Sequence, residues 1–168
     1  MSGDAGRPRR ARTPQESAFA AATRLLAYQS RTEAELVNAL ARRGHAPDKI
    51  DQAMADMKRL GYIDDEATAK RWAEHAAEVR RYGIAGVSRR LTNRGIPPEL
   101  AEQAAREAYD LTGQSEEDVA LGIARRRVAD SEWPSPQERD REMRRLAGFL
   151  QRRGFGSDTI AKVLRELF

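Results

Sequence analysis

The sequence predicts an all-α protein built from three tandem three-helix repeats stacked into an elongated, curved array. Three observations predict it. The stretches "ALARRGHAPDKI", "GVSRRLTNRGIPPEL" and "FLQRRGFGSDTI" align on Gly44, Gly95 and Gly154, each preceded by an arginine (Arg43, Arg94, Arg153) and, four residues earlier, by a leucine (Leu40, Leu91, Leu150). Apolar residues recur at helical spacing throughout. No sustained period-two run rich in Val, Ile and Thr marks a strand. A recurrence of this kind points to stacked units that complete each other's cores.

The elements follow in order. Residues 1–13 read as a basic tail, with Arg7, Arg9, Arg10 and Arg12 against Asp4, three of the four net positive charges of the chain. A solvated, disordered leader is one reading of it and an arm that touches nucleic acid is the other. Repeat 1 spans 14–63, repeat 2 spans 64–112 and repeat 3 spans 113–168. The first helix of each covers roughly Gln15 to Gln29, Asp65 to Arg81 and Glu116 to Ala129. The second helix carries the i, i+4 pairs Leu36/Leu40, Val87/Leu91 and Leu146/Leu150. "SRTEAEL" opens the first of these with a capping box, Thr32 at N-cap and Glu35 at N3. Each second helix ends at its aligned glycine, where a left-handed cap suits a residue without Cβ. The third helix opens with Pro47, with the Pro97–Pro98 pair, and with Ser157 as N-cap followed by Asp158. Pro134 and Pro136 in "DSEWPSPQERD" break the helical pattern and place a loop inside repeat 3.

Bulk properties exclude several classes. The 168 residues contain no cysteine, so disulfides and thiolate metal sites are absent, in keeping with a reducing compartment. No stretch reaches the about 18 consecutive apolar residues of a membrane span, and the basic N-terminus lacks the apolar run of a secretory signal. The reading is cytoplasmic, without membrane association. No HExxH, GxSxG, GxxxxGK[ST] or GxGxxG occurs, and the two histidines, His45 and His75, lie 30 residues apart. Asp64, Asp65 and Glu66 are read as helix-start residues favoured by the dipole. A hydrolase built on Asp64, Asp65 and His75 is the remote third class. No catalytic, cofactor or metal site is expected.

The charge is sided. Of the 30 basic residues only four are lysine, which reflects either phosphate-recognising chemistry or the codon usage of a GC-rich genome. Residues 80–94 hold Arg80, Arg81, Arg89, Arg90 and Arg94 and no acid, and residues 139–153 hold six arginines against Asp140 and Glu142. With Val87 inward, Leu91 lies about 40° round the wheel and Arg89 about 200° away. Arg89 and Arg90 are therefore the first choice for an outside partner, whereas Arg94, near the apolar line, caps or packs at the repeat boundary. Copy one has Asn38 and Ala39 at the aligned positions, so the pair is not part of the shared architecture.

The stretches "KRLGYIDDEATAKRWAE" (58–74) and "RRYGIAGVSRRLTNRGIPPELAEQA" (80–104) resemble the RecX family, regulators of the RecA recombinase. Gly61, Tyr62, Ile63, Asp64, Asp65, Ala69, Trp72, Gly83, Leu91, Gly95 and Ile96 carry the resemblance, which extends over residues 18–168. Thr68 and Ala76 depart from it, standing where the family usually has an aromatic and an arginine. The resemblance implies a non-enzymatic modulator that binds the RecA filament on single-stranded DNA, with double-stranded DNA a further ligand, and reduces strand exchange, ATP hydrolysis and coprotease activity in recombination, DNA repair and the SOS response. It implies a monomer without cofactors. The residues expected to meet RecA or DNA are Arg71, Arg80, Arg81, Tyr82, Arg89, Arg90, Arg94, Arg144 and Arg145. A nucleic-acid-binding protein that acts without RecA is the alternative.

Overall fold

The structure is a computed structural model that describes residues 16–79, 81–129, 133 and 135–168. The expectations for the tail 1–13, for Arg80 and for Pro134 fall outside the described residues. Among those residues there are nine helices and no strand: α1 (Ala18–Tyr28), α2 (Glu33–Arg42), α3 (Pro47–Arg59), α4 (Asp65–Glu78), α5 (Ile84–Thr92), α6 (Pro98–Thr112), α7 (Glu116–Val128), α8 (Pro136–Arg152) and α9 (Ser157–Leu167). Close helix packing stays within triplets: α1–α3, α4–α6 and α7–α9 form three repeats in series.

The caps explain the boundaries. Thr32 and Glu35 close the capping box that opens α2, worth about 1 kcal/mol to the helix. Ser115 and Asp118 repeat the device on α7. The hydrogen bonds from Ser115 hold the Asp118 carboxyl below the usual aspartate range. Gly44, Gly95 and Gly154 all have left-handed φ, between +81° and +90°, which an L side chain adopts only with strain.

Four expectations are corrected. The helix expected from Gln15 to Gln29 occupies Ala18–Tyr28, because Ser17 caps it and accepts the Ala20 N–H. The helix expected to run to Arg81 ends at Glu78, and Arg81 itself takes φ 53°. Ser157 is the first residue of α9 rather than its N-cap, a place held by Gly156. Pro136 starts α8 instead of breaking a helix, because its missing N–H lies in a turn where no intrahelical acceptor waits, and Ser135 caps the turn by accepting from Glu138 N.

The core is divided. Repeat 1 closes its own, with Leu36, Leu40, Ile50, Met54, Met57 and Ile63 buried together. Repeats 2 and 3 share one continuous core through Val87, Leu91, Ile96, Tyr109, Val119, Leu146, Leu150, Phe155 and Val163. The sequence expectation that every repeat completes its neighbour's core therefore holds for the second and third repeats only. Alanines face each other in repeat 2, with Ala69, Ala73, Ala76 and Ala77 on α4 and Ala101, Ala104, Ala105 and Ala108 on α6. Small side chains let two helices approach closely but bury little apolar area each. Ala76, where an arginine is common in the resembling family, is 1% exposed.

Consecutive repeats meet through one backbone plan used twice. The first amide of the second helix donates to a carboxylate in the first turn of the next repeat: Glu33 N to Asp65 Oδ1 at 3.0 Å, and Ile84 N to Glu116 Oε1 at 2.8 Å. The N-cap residue of the same helix donates to the carbonyl of the next repeat's arginine. Thr32 does so with its hydroxyl, to Arg94 O. Gly83 does so with its N–H, to Arg153 O at 3.1 Å. The cap glycine that follows then rests on that first turn, Gly95 on Ala34 and Gly154 on Gly86.

Candidate interaction surface

The joints bring basic side chains and aromatic rings together, so the surface is built from them upward. At the first joint Arg94 reaches back into repeat 1. Its Nε and Nη2 donate to Glu35 Oε1 and Oε2 at 2.8 and 3.0 Å, a bidentate pair, and its guanidinium lies 5.5 Å from the Trp72 ring. Burial tends to raise the Glu35 pKa, but the Arg94 hydrogen bond, the Thr32 N–H and the charges of Arg94 and Arg31 outweigh it and hold the carboxyl below its usual range. Asp65, a few residues away in the same joint, is shifted upward by burial, with the Glu33 N–H opposing and the Glu33 charge adding. A cleft of about 470 Å³ opens here between Gln29, Ser30, Trp72, His75 and Arg71. Arg71 is exposed and makes a long contact to Thr68 Oγ1, at 3.4 Å.

At the second joint four guanidinium–ring contacts run in sequence. Arg90 lies 3.9 Å over Tyr82. Arg153 lies 5.4 Å from the same ring and 5.0 Å from Phe149. Arg127 lies 4.4 Å over Phe149. The order Arg90–Tyr82–Arg153–Phe149–Arg127 is a ladder in which aromatic faces separate like charges, each contact worth on the order of 1 kcal/mol. The loop before α5 is anchored under it. Tyr109 Oη donates to Tyr82 O at 2.6 Å, and burial, with the Glu116 charge second, pushes the Tyr109 hydroxyl pKa upward, so it remains a donor. Arg153 Nη1 donates to Arg81 O at 3.3 Å, fixing the residue that sits in the left-handed region. Arg89 is exposed and donates from Nη2 to Arg152 O at 3.1 Å, a carbonyl at the C-terminal end of α8, where the helix dipole favours a cation.

The residues expected from the sequence are thus divided. Tyr82, Arg81, Arg89 and Arg90 meet at the second joint. Arg94 turns into the first joint, with Arg71 beside it. On α8, Arg144 is exposed, and Arg145 is exposed and pairs with Glu142 at 3.3 Å. Arg80 lies outside the described residues. Arg89 and Arg90, expected to point outward together, part company: one crosses to repeat 3 and the other lies half-buried on a ring. Sequence reasoning passed over Arg153, Phe149 and Arg127. The first two were within reach, because Arg153 and Phe149 occupy the positions that Arg94 and Arg90 hold relative to their glycines. Arg127 gives no such signal; in the last turn of α7 beside Arg125 and Arg126 it reads as complementing the helix dipole.

Asp64, Asp65 and His75 take three separate places. Asp64 Oδ1 caps α4 by accepting Ala67 N at 2.8 Å, Asp65 accepts Glu33 N, and His75 lines the cleft. Among the described residues no group of three or more His, Asp or Glu is placed to hold a metal ion, and no helix is long and apolar enough to cross a membrane.

Comparison with known proteins agrees with this three-part plan. Three RecX family models match in order: the first three-helix domain over residues 18–57, the second over 64–104 and the third over 115–164. The chain is similar to the regulatory protein RecX of Trichlorobacter lovleyi, 35% identical over 151 residues that cover 89% of this chain and 92% of that protein. It is similar to the regulatory protein RecX of Deinococcus radiodurans, 33% identical with 96% and 74% covered. Among solved structures, that of RecX from Lactobacillus salivarius superposes with a TM-score of 0.72 at 21% identity, covering 89% of this chain and 94% of that one. The chain belongs to the RecX family.

Proposed function

With RecX membership as the premise, we propose that this protein is a non-enzymatic modulator of the RecA recombinase. It binds the RecA filament on single-stranded DNA in the cytoplasm and lowers strand exchange, ATP hydrolysis and coprotease activity. In this reading it acts as a monomer and damps recombination, DNA repair and the SOS response. The observation that carries the reading is the arginine surface of repeats 2 and 3. Arg71, Arg89, Arg90 and Arg144 have no carboxylate partner among the described residues, on a protein whose repeats follow one another in series. A series of similar units suits a partner that itself repeats, and unpaired guanidiniums suit its acidic surface or its phosphates.

The test is RecA's DNA-dependent ATPase. Stoichiometric protein lowers the rate, and Arg89→Glu with Arg90→Glu abolishes the effect; an unchanged rate with the wild-type protein sinks the reading. The second reading, nucleic-acid binding without RecA, is favoured by the same unpaired arginines. It predicts tight DNA binding in RecA's absence, with a log–log salt slope of roughly 0.7 per phosphate neutralised on single strands. DNA affinity that appears only with RecA excludes it.

A further inference from the structure

Beside the cleft of the first joint lies a smaller hollow of about 280 Å³, lined by Ser30 and Arg31 of repeat 1 and by Asp64, Thr68 and Arg71 of repeat 2. Arg31 is half-buried, and its Nε is buried with no hydrogen-bond partner. An unmet buried donor is costly, more so on a cation. Glu35 feels the Arg31 charge, but its two oxygens already accept from Arg94 and from the Thr32 N–H. Arg71 reaches Thr68 Oγ1 at 3.4 Å, which is at the limit of a hydrogen bond. Thr68 is 6% exposed, and that contact uses a lone pair of its hydroxyl and leaves the proton to donate. Asp64 opposes the two cations, but its Oδ1 is committed to capping α4 through Ala67 N. Donors therefore outnumber acceptors in the hollow.

From this geometry we infer that the hollow binds one phosphoryl group, as inorganic phosphate or as the phosphate of a mononucleotide, with Arg31 and Arg71 as its ligands and Ser30 and Thr68 as further donors. This goes beyond the RecA reading and does not rest on it. Planar guanidinium forks match the oxygens of a tetrahedral anion, and Arg31 has an edge that no protein atom takes up. Free phosphate and a phosphate monoester carry nearly two negative charges at neutral pH, against one on an internal phosphodiester, and two guanidiniums favour the former. The donors are not part of the repeat plan. In the register that aligns Gly44 with Gly95, the hollow recurs at the second joint under Ala77, Thr112 and Val119. There Tyr82, Val119 and Gly122 stand where Arg31, Thr68 and Arg71 do, and one guanidinium, that of Arg81, lines it. The neighbouring cleft shares Ser30, Thr68 and Arg71 and adds the Trp72 ring. Together the two reach the size of small-molecule sites, with a place for a base beside the phosphate. Because both repeats line the hollow, the anion ties repeat 1 to repeat 2, whose cores are separate.

The experiment is calorimetric titration of the full chain with inorganic phosphate, thymidine monophosphate and thymidine, followed by urea denaturation in phosphate and in chloride of equal ionic strength. Phosphate at ten times its Kd is expected to favour the folded state about tenfold. Phosphate also stabilises folded proteins by exclusion from their surface, a part that every variant keeps. Arg31→Gln and Arg71→Gln are each expected to weaken phosphate binding roughly tenfold, the loss of a charge-assisted hydrogen bond. Arg71→Lys keeps part of the affinity, and Arg42→Gln, which removes an exposed arginine of repeat 1, matches wild type. Arg71 is exposed, and a thermal melt in chloride verifies that its variants fold. Thymidine monophosphate bound more tightly than phosphate, with thymidine silent, assigns the hollow to a mononucleotide; no gain over phosphate assigns it to the free anion. Equal urea midpoints in phosphate and chloride overturn the inference. So does a phosphate affinity that Arg31→Gln and Arg71→Gln leave intact, and so does displacement of phosphate by oligothymidylate without a terminal phosphate, which assigns the hollow to a strand.

Discussion

The joint between repeats 1 and 2 and the joint between repeats 2 and 3 share an amide-to-carboxylate bond and a carbonyl that accepts from the N-cap residue, and differ in most of the side chains laid over them. At the first, Ala34 faces Gly95 and a bidentate Arg94–Glu35 pair lies across the boundary. At the second, Gly86 holds the N3 position that Glu35 holds in the first and faces Gly154, and Arg153 lies on two rings. The first joins two separate cores and the second runs through one. A repeat protein can thus keep one docking plan and set each joint's response to salt, pH and steric change by the residues at N3 of one helix and before the glycine of the next.

The steepest way to break the contrast is Gly86→Ala. The added Cβ would stand 2.1 Å from Arg153 O, a backbone atom that cannot swing aside. A loss of about 3 kcal/mol is expected by urea denaturation despite alanine's better helix propensity, and the variant also loses the cooperativity between repeats 2 and 3. Unchanged stability would mean that the glycine contact does not set the second joint. Next is Arg94→Gln, which leaves Glu35 with weaker partners at a site where the two side chains are 20% and 27% exposed. A loss of about 2 kcal/mol is expected; high salt shrinks it, whereas the cost of Gly86→Ala is unaffected by salt.

Tyr109→Phe sharpens the second joint from beneath, because Tyr82 O loses its donor. About 1 kcal/mol is expected, together with weaker oligonucleotide binding if the loop carrying Tyr82 shifts. The smallest effect is on pH. The folded pKa of Glu35 is depressed, so its stabilisation is present above the unfolded value of about 4.3 and is lost as pH falls through the folded one. Asp65 is shifted upward, so its protonation favours the fold and its contribution declines as pH rises through its folded pKa. The two oppose each other within one joint. In urea midpoints measured from neutral to acidic pH, Asp65→Asn steepens the acid loss and Glu35→Gln makes it shallower, leaving the part that Asp118 contributes; parallel profiles for all three proteins would remove these carboxylates from the account.

Much of the fold was legible because its signals are local. A cap glycine, a capping box and a first-turn proline each act within four or five residues, so "ARRGHAP" and "NRGIPP" announce their corners without knowledge of the rest of the chain. What joins the repeats was not legible. Asp65 and Glu116 read as ordinary first-turn acids, and their second task, receiving an amide 32 residues away, depends on how the repeats dock. The candidate surface was half legible for the same reason. Arg90 and Tyr82 stood out by charge and by type, but the ladder's continuation through Arg153, Phe149 and Arg127 crosses between repeats. The helical wheel placed Arg94 at the boundary, where it pairs with Glu35, although the family resemblance also put it among the residues expected to meet RecA or DNA.

Pro136 gives the shared joint a last consequence. It occupies in α8 the place that Glu33 and Ile84 occupy in α2 and α5, and it has no N–H to give. At the opposite end, Ala18 opens α1 where Asp65 and Glu116 open α4 and α7, and it has no carboxylate to receive one. The hydrogen bond that couples consecutive repeats thus has no counterpart donor at the first residue of α8 and no counterpart acceptor at the first residue of α1. Where the latch does form, it needs both members, so a proline in place of Ile84 or an alanine in place of Glu116 would open the second joint as Pro136 and Ala18 leave theirs unmade.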